Sequence, residues 1–218
     1  MKVVKTSIAG LDEFLMGGIP PKIILLTGSP GSGNEIFARQ VLFNRVKTSS
    51  VTYFTVNSTA ESVKEDMAAY GWDTTPFEAE EKWKFRSLKN TSSNTLSEII
   101  LSEMKQSRIV AIDSISELLL IHKITDVVNL LTSMTDQNRN SIDFHFLLVT
   151  EGMQDLQAET TMNHYAEGSI YFALTWSKDT TMRQLIIRKM SGTIIPTRRL
   201  NYNLGRKGFI IETATRIT

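Results

Sequence analysis

Short apolar runs alternate with amphipathic stretches along most of the chain. Ile23-Ile24-Leu25-Leu26-Thr27 predicts a buried strand, bounded by Pro20-Pro21 before it and a Gly-rich turn after it. From Glu35 to Val46, Phe37, Val41 and Phe43 stand among polar neighbours, the pattern of a helix packed on a sheet. Val51 to Val56, rich in β-branched and aromatic residues, predicts a second strand. Thr59, with Glu61 and Glu65 close behind, opens a helix that ends at Gly71. A short strand at Lys84-Phe85-Arg86, a polar loop over Lys89 to Asn94 and a helix from Thr95 to Lys105 follow. Then come a strand over Arg108 to Asp113, a helix near Thr125 to Met134 and a strand over Phe144 to Val149. This alternation predicts an α/β fold, a mostly parallel sheet flanked by helices. Beyond Thr150 the character changes. Ser169 to Trp176, Met182 to Lys189 and Arg198 to Ile211 read as successive strands with short turns, an antiparallel C-terminal extension. That tail is too short for a core of its own, so residues 1–218 are expected to form one domain.

Composition narrows the chemistry by exclusion. Of 218 residues, 41% are hydrophobic and 22% charged, ordinary for a globular protein and unlike a disordered one. A net charge of +1 argues against a general basic affinity for nucleic acid, although a local patch stays open. Without cysteine there is no disulfide, thiolate zinc site or cysteine nucleophile. His122, His145 and His164 lack metal-ligand spacing. The opening Met1 to Thr6 lacks the apolar core of a signal peptide, and no apolar run is long enough to span a bilayer. The expectation is a soluble, cytoplasmic protein without membrane partners.

The first strand leads into Gly28-Ser29-Pro30-Gly31-Ser32-Gly33-Asn34-Glu35, placed where a phosphate-binding loop belongs. The mononucleotide pattern is G-x-x-x-x-G-K-[ST]. Gly28 and Gly33 match it in spacing, and such glycines let backbone amides converge on an anion at a helix N-terminus. The next two positions depart: Asn34 replaces the lysine that meets the β- and γ-phosphates, and Glu35 replaces the hydroxyl that holds magnesium. Losing one charge-assisted contact costs on the order of 1.5–3 kcal/mol, and a carboxylate beside an anion adds repulsion. From these eight residues alone, an anion cradle and an ordinary strand-to-helix turn stand as alternatives.

The flanks carry a resemblance. Thr6-Ser7-Ile8-Ala9-Gly10-Leu11-Asp12-Glu13-Phe14-Leu15-Met16-Gly17-Gly18-Ile19-Pro20 is similar to the entry of RecA-superfamily ATPases of the KaiC type. Ile109-Val110-Ala111-Ile112-Asp113-Ser114 resembles that family's strand ending in the metal-binding aspartate. Leu147 to Glu151 resembles its next core strand, and Ala166 to Ile170 a later strand entry. Leu185 to Thr193 resembles its L-x-I-x-K-M-R-G-T segment. The matches run in order across nearly the whole chain. The resemblance implies a RecA-like P-loop fold, ATP with magnesium as cofactor, and a ring in which a neighbour supplies a lysine and an arginine to the γ-phosphate. Residue by residue, it implies that Gly28 to Glu35 form the cradle, that Asp113 is the metal ligand and that Lys189 is the lysine given in trans. Ser191 stands where the arginine belongs, and Asn57-Ser58 where the family has glutamates that activate water.

Four parts of one mechanism have therefore changed: the loop lysine, the loop hydroxyl, the base and the trans arginine. The expectation is a non-catalytic homologue, a pseudo-ATPase with no catalytic residue and no secure cofactor. It would act as a regulatory or interaction subunit, with itself or with an ATPase paralogue. The alternative is a divergent ATP-binding protein with residual ATPase activity, possible through Lys22, Arg39 or Lys189 in place of the missing lysine, and DNA-associated in one version. Each residue also has a plainer role. Asp113 can start a turn, with Ser114 capping the next helix, and Lys189 can be a solvated strand residue. The basic and aromatic cluster of Arg198, Arg199, Tyr202, Arg206, Lys207 and Phe209 reads either as a nucleic-acid surface or as a charged edge that prevents aggregation.

Overall fold

The computed structural model describes residues 3–176 and 180–212. Its elements are α1 (Leu11–Phe14), β1 (Ile23–Gly28), α2 (Asn34–Arg45), β2 (Ser50–Thr55), α3 (Ala60–Ala68), α4 (Thr75–Ala79), β3 (Trp83–Ser87) and α5 (Ser93–Lys105). They continue with β4 (Arg108–Asp113), α6 (Ile115–Leu118), α7 (Ile124–Asn138), β5 (His145–Thr150) and α8 (Leu156–Tyr165). The chain ends in β6 (Gly168–Trp176), β7 (Thr181–Met190), β8 (Leu200–Gly205) and β9 (Gly208–Ile211).

The nine strands form one sheet in the order β3-β2-β4-β5-β1-β6-β7-β8-β9. All pairings from β3 to β6 are parallel, and those from β6 to β9 are antiparallel. The expected α/β fold with an antiparallel extension is therefore present. β6 joins the two parts, running parallel to β1 on one side and antiparallel to β7 on the other. The predicted strand over Arg198 to Ile211 is a hairpin, because Arg206 and Lys207 turn the chain between β8 and β9.

The apolar runs explain the centre of the sheet. β1 is buried on both faces, as a parallel strand covered by two helical layers must be. Ile24 and Leu26 enter the core beneath α2 and the C-terminal hairpin, while Ile23 and Leu25 enter the core beneath α5 and α7. Phe37 on α2 anchors the first core, with its ring 5.1 Å from Phe172 and 5.2 Å from Phe209. The β8–β9 hairpin thus folds over α2, where the Phe209 amide donates to Gln40 Oε1 at 2.6 Å. That closure places the C-terminal strands above the loop that follows β1.

Candidate functional site

The segment between β1 and α2 is built as a phosphate loop is built. Gly31 and Gly33 take φ of +83° and +86°, which side chains disfavour, and the Ser32 amide donates to Ser29 O at 2.9 Å. At Gly28 a Cβ would run into Ser32 Oγ, and at Gly33 one would lie 2.7 Å from Leu204 of β8. The loop is held from above as well. Tyr202 donates its hydroxyl to Ser32 O at 2.6 Å, and Arg183 donates through Nε and Nη2 to Gly31 O, both at 3.3 Å. Neither contact is signalled by the linear sequence.

Beside the loop lies a cavity of about 290 Å³ lined by Gly28 to Gly31, Asn34, Glu35, Arg39, Ser58, Asp113, Ser114, Leu148 and Thr150. The structure therefore brings most of the sequence-predicted loop residues together with Asp113 at the carboxyl ends of the strands, where open α/β sheets take ligands. Ser32 and Gly33 are buried beneath the loop. Lys189 is elsewhere. Its Nζ donates to Asn163 O at 3.0 Å and His164 O at 2.7 Å, tying off the last carbonyls of α8.

Within the cavity, side chains meet each other. The Asn34 amide turns inward and donates to Leu26 O at 3.0 Å and Val149 O at 3.5 Å, bridging β1 and β5. Burial pushes the Glu35 carboxyl pKa up, although its own backbone N–H and the nearby Arg39 cation act the other way. Arg39 is mostly buried and spans two carboxylates, donating to Asp113 Oδ2 at 3.2 Å and Asp66 Oδ2 at 3.0 Å. Its Nε donates to the Tyr53 oxygen at 3.1 Å, while the Tyr53 hydroxyl donates to Asp113 Oδ2 at 2.6 Å. Burial, with the Asp113 charge beside it, holds the Tyr53 hydroxyl protonated far above its ordinary range. Burial alone would lower the Arg39 pKa, but the Tyr53 and Asp113 oxygens more than offset it and the net shift is upward. Asp113 is thus one corner of a four-residue network drawn from α2, β2, α3 and β4.

Of the other cations weighed for the missing lysine, Lys22 pairs with Glu167 at 2.7 Å and does not line the cavity. Ser114 caps α6 by accepting from the Glu117 amide at 3.3 Å. The Glu117 carboxylate accepts from the Asn57 amide at 3.3 Å, so a carboxylate does stand beside Asn57, although it does not line the cavity. Arg39, Tyr53, Asp66 and Glu117 were not singled out as a set by the sequence. One signal was available for Arg39: it interrupts the buried Phe37-Ala38-Val41-Leu42 stripe of α2, and a buried cation requires an anionic partner.

The fold and the glycine loop at the strand ends define a protein of the RecA-like P-loop class. The family model described as "ATPase: KaiC" matches residues 4–216, and the chain belongs to that family. A UPF0273 protein of Thermotoga maritima is 28% identical over 237 aligned positions, covering 97% of this chain and 96% of the relative. A UPF0273 protein of Aeropyrum pernix is 29% identical, covering 95% and 92%. The crystal structure of the KaiC-like protein PH0186 from Pyrococcus horikoshii superposes with a TM-score of 0.83 at 22% identity, covering 97% of this chain and 99% of that one, a likeness of fold. Among the described residues no helix is long and apolar enough to cross a membrane.

Proposed function

We propose that this chain is a non-catalytic member of the KaiC ATPase family, a regulatory or interaction subunit that does not cycle with ATP. The observation that carries this reading is the Arg39 guanidinium on Asp113 Oδ2, with the Tyr53 hydroxyl on the same oxygen. A magnesium ion on Asp113 would have to displace both, and it would meet a cation already in place. The loop supports the same reading from the other side. Glu35 puts a carboxylate on the wall of the cavity beside the cradle, and the Asn34 amide is spent on two strand carbonyls. The metal-binding aspartate is occupied by Arg39 and Tyr53, and a carboxylate stands where the hydroxyl would hold magnesium, so the residues present do not fit a magnesium–triphosphate, and no step is routed through one. Its partners, on this reading, are further copies of itself or an ATPase paralogue.

Thermal unfolding with and without ATP and magnesium tests this. The parent chain is expected to show no nucleotide-dependent shift in Tm. The Asn34→Lys, Glu35→Thr, Arg39→Leu variant, which frees Asp113 and restores the loop chemistry, is expected to gain one. A parent shift of several degrees that vanishes in Asp113→Ala would overturn the proposal.

A further inference from the structure

We propose that the cleft between the α6–α7 turn and the start of α8 binds a small aliphatic amine. The apolar chain would lie against its walls, and the ammonium group would meet acceptors that the fold leaves unpaired. The cleft has a volume of about 390 Å³ and shares no lining residue with the cavity beside the glycine loop. Leu119, Leu120, Ile124 and Met153 give it apolar walls. Leu120 is 63% exposed and Met153 39%, so the rim keeps apolar surface that the rest of the chain does not cover. Apolar walls with a few convergent polar groups are the usual make-up of a small-molecule site.

Two residues that line the cleft carry a buried polar atom without a partner. Gln154 Nε2 donates to Ser116 O at 3.0 Å, and only the nitrogen can bond a carbonyl in this way. The orientation of the amide is thereby fixed, and Oε1 is buried with no donor among the described residues. His122 repeats the pattern. Ser93 Oγ gives its one proton to Asp126 Oδ2 at 2.9 Å, so it accepts from His122 Nδ1 at 3.0 Å. In the neutral ring Nε2 then carries the lone pair, and it too is buried without a donor. An acceptor in this state has lost its water and gained nothing in exchange. Both residues line the cleft, so a side-chain rotation is enough to present either atom to a ligand there.

Both atoms are acceptors, so the group they call for is a donor, and the local charge selects a cationic one. Residues 150–164 hold Glu151, Asp155 and Glu159 and neither lysine nor arginine. Asp155 lines the cleft, and among the described residues only its Oδ1 is engaged, by the Ala158 amide at 2.7 Å. Lys123 follows His122 in the chain but does not line the cleft. α7 and α8 both begin here, yet neither helix end calls for an anion. Asp126 accepts from the Lys123 amide at 3.2 Å and Asp155 from the Ala158 amide, so each N-terminus already has its carboxylate. An ammonium group brings three donors to this set of acceptors, and an alkyl chain behind it fits the walls. A carboxylate or phosphate would meet like charge and bare lone pairs.

The imidazole proton resonances test it, since the chain has three histidines and His122→Phe identifies the one in the cleft. The probes are hexylammonium, hexanol and hexanoate, which share one apolar chain and differ in the head group. At about pH 8, where an ordinary imidazole is neutral, hexylammonium is expected to shift the His122 resonance saturably. Hexanol is expected to bind at least about tenfold more weakly, and hexanoate not at all. Asp155→Asn keeps a capping side chain on α8, and is expected to weaken hexylammonium by about tenfold while leaving hexanol unchanged. Gln154→Glu is expected to tighten hexylammonium by a similar factor. No saturable shift with hexylammonium up to about 10 mM overturns the proposal. Equal binding of hexanol overturns it too, because the cleft would then read only the alkyl chain, and so does preferential binding of hexanoate. Hexylammonium affinity unchanged in both Asp155→Asn and Gln154→Glu has the same consequence. None of these readouts involves nucleotide, so they leave the non-catalytic reading to be decided separately.

Discussion

The Arg39 guanidinium lies 3.2 Å from Asp113 Oδ2, joining a cation on α2 to the carboxylate at the end of β4. Side chains in this pair are 9% and 18% exposed, so the attraction is little screened, and removing one partner leaves the other stranded. Arg39→Ala is expected to destabilise the fold by about 3 kcal/mol, measured by urea unfolding, because Asp66, Asp113 and Tyr53 all lose a donor. Replacing the pair together, Arg39→Leu with Asp113→Leu, is expected to cost less than the sum of the single changes. Additivity in that cycle would show that the pair is not coupled.

Glu35 is the reverse case, a charge that the fold tolerates at a cost. Burial raises its carboxyl pKa in the folded state. A group raised on folding contributes stability at low pH and loses it as pH rises through the folded value. Glu35→Gln is therefore expected to be more stable than the parent at pH 7, with the gap closing in acid. A gap independent of pH would place the effect in packing rather than charge.

His145 gives the molecule a separate acid limit. Burial lowers its pKa to about 3, and its ring is fully engaged, with Nδ1 accepting from the Val110 amide at 3.0 Å and Nε2 lying 3.1 Å from Asn138 Oδ1. The ring is neutral in the fold, whereas in the unfolded chain it takes up a proton below the ordinary histidine value. Stability is thus expected to fall from about pH 6.5 downward towards the folded value, by up to about 1.4 kcal/mol per pH unit. His145→Gln is expected to flatten this part of the profile. An unchanged slope in that variant would assign the acid sensitivity to carboxylates.

The loop conformation itself is open to test through Gly33. Alanine there must adopt φ near +86° and press on Leu204 of β8. The left-handed backbone alone costs roughly 1–2 kcal/mol, and the contact adds to it. Gly33→Ala is expected to lower stability by that amount or more, and the loss is expected to shrink in the double variant with Leu204→Ala. No loss in the single variant would contradict the described loop.

Much of this fold could be read from the order of apolar runs. β1, β2, β4 and β5 announce themselves because strands buried on both faces need unbroken apolar sequence, and α2, α5 and α7 are long enough to show helical periodicity. The short helices α1, α4 and α6 could not be read in this way, since four or five residues contain barely one period. α8 also escaped, as it buries Met162 and little else. The glycine spacing, Asn34, Glu35 and Asp113 were legible as a loop that had lost its lysine and hydroxyl. What replaced them was not. Arg39, Tyr53, Asp66 and Asp113 lie on four different elements, and only the sheet order brings them together.

Calorimetric titration of the parent with ATP, with and without magnesium, tests most directly whether Arg39 and Tyr53 keep Asp113 from a metal. No magnesium-dependent heat is expected at nucleotide concentrations up to about 1 mM, the range of binding free energies near −4 kcal/mol. Micromolar binding that requires magnesium and disappears in Asp113→Ala would contradict it.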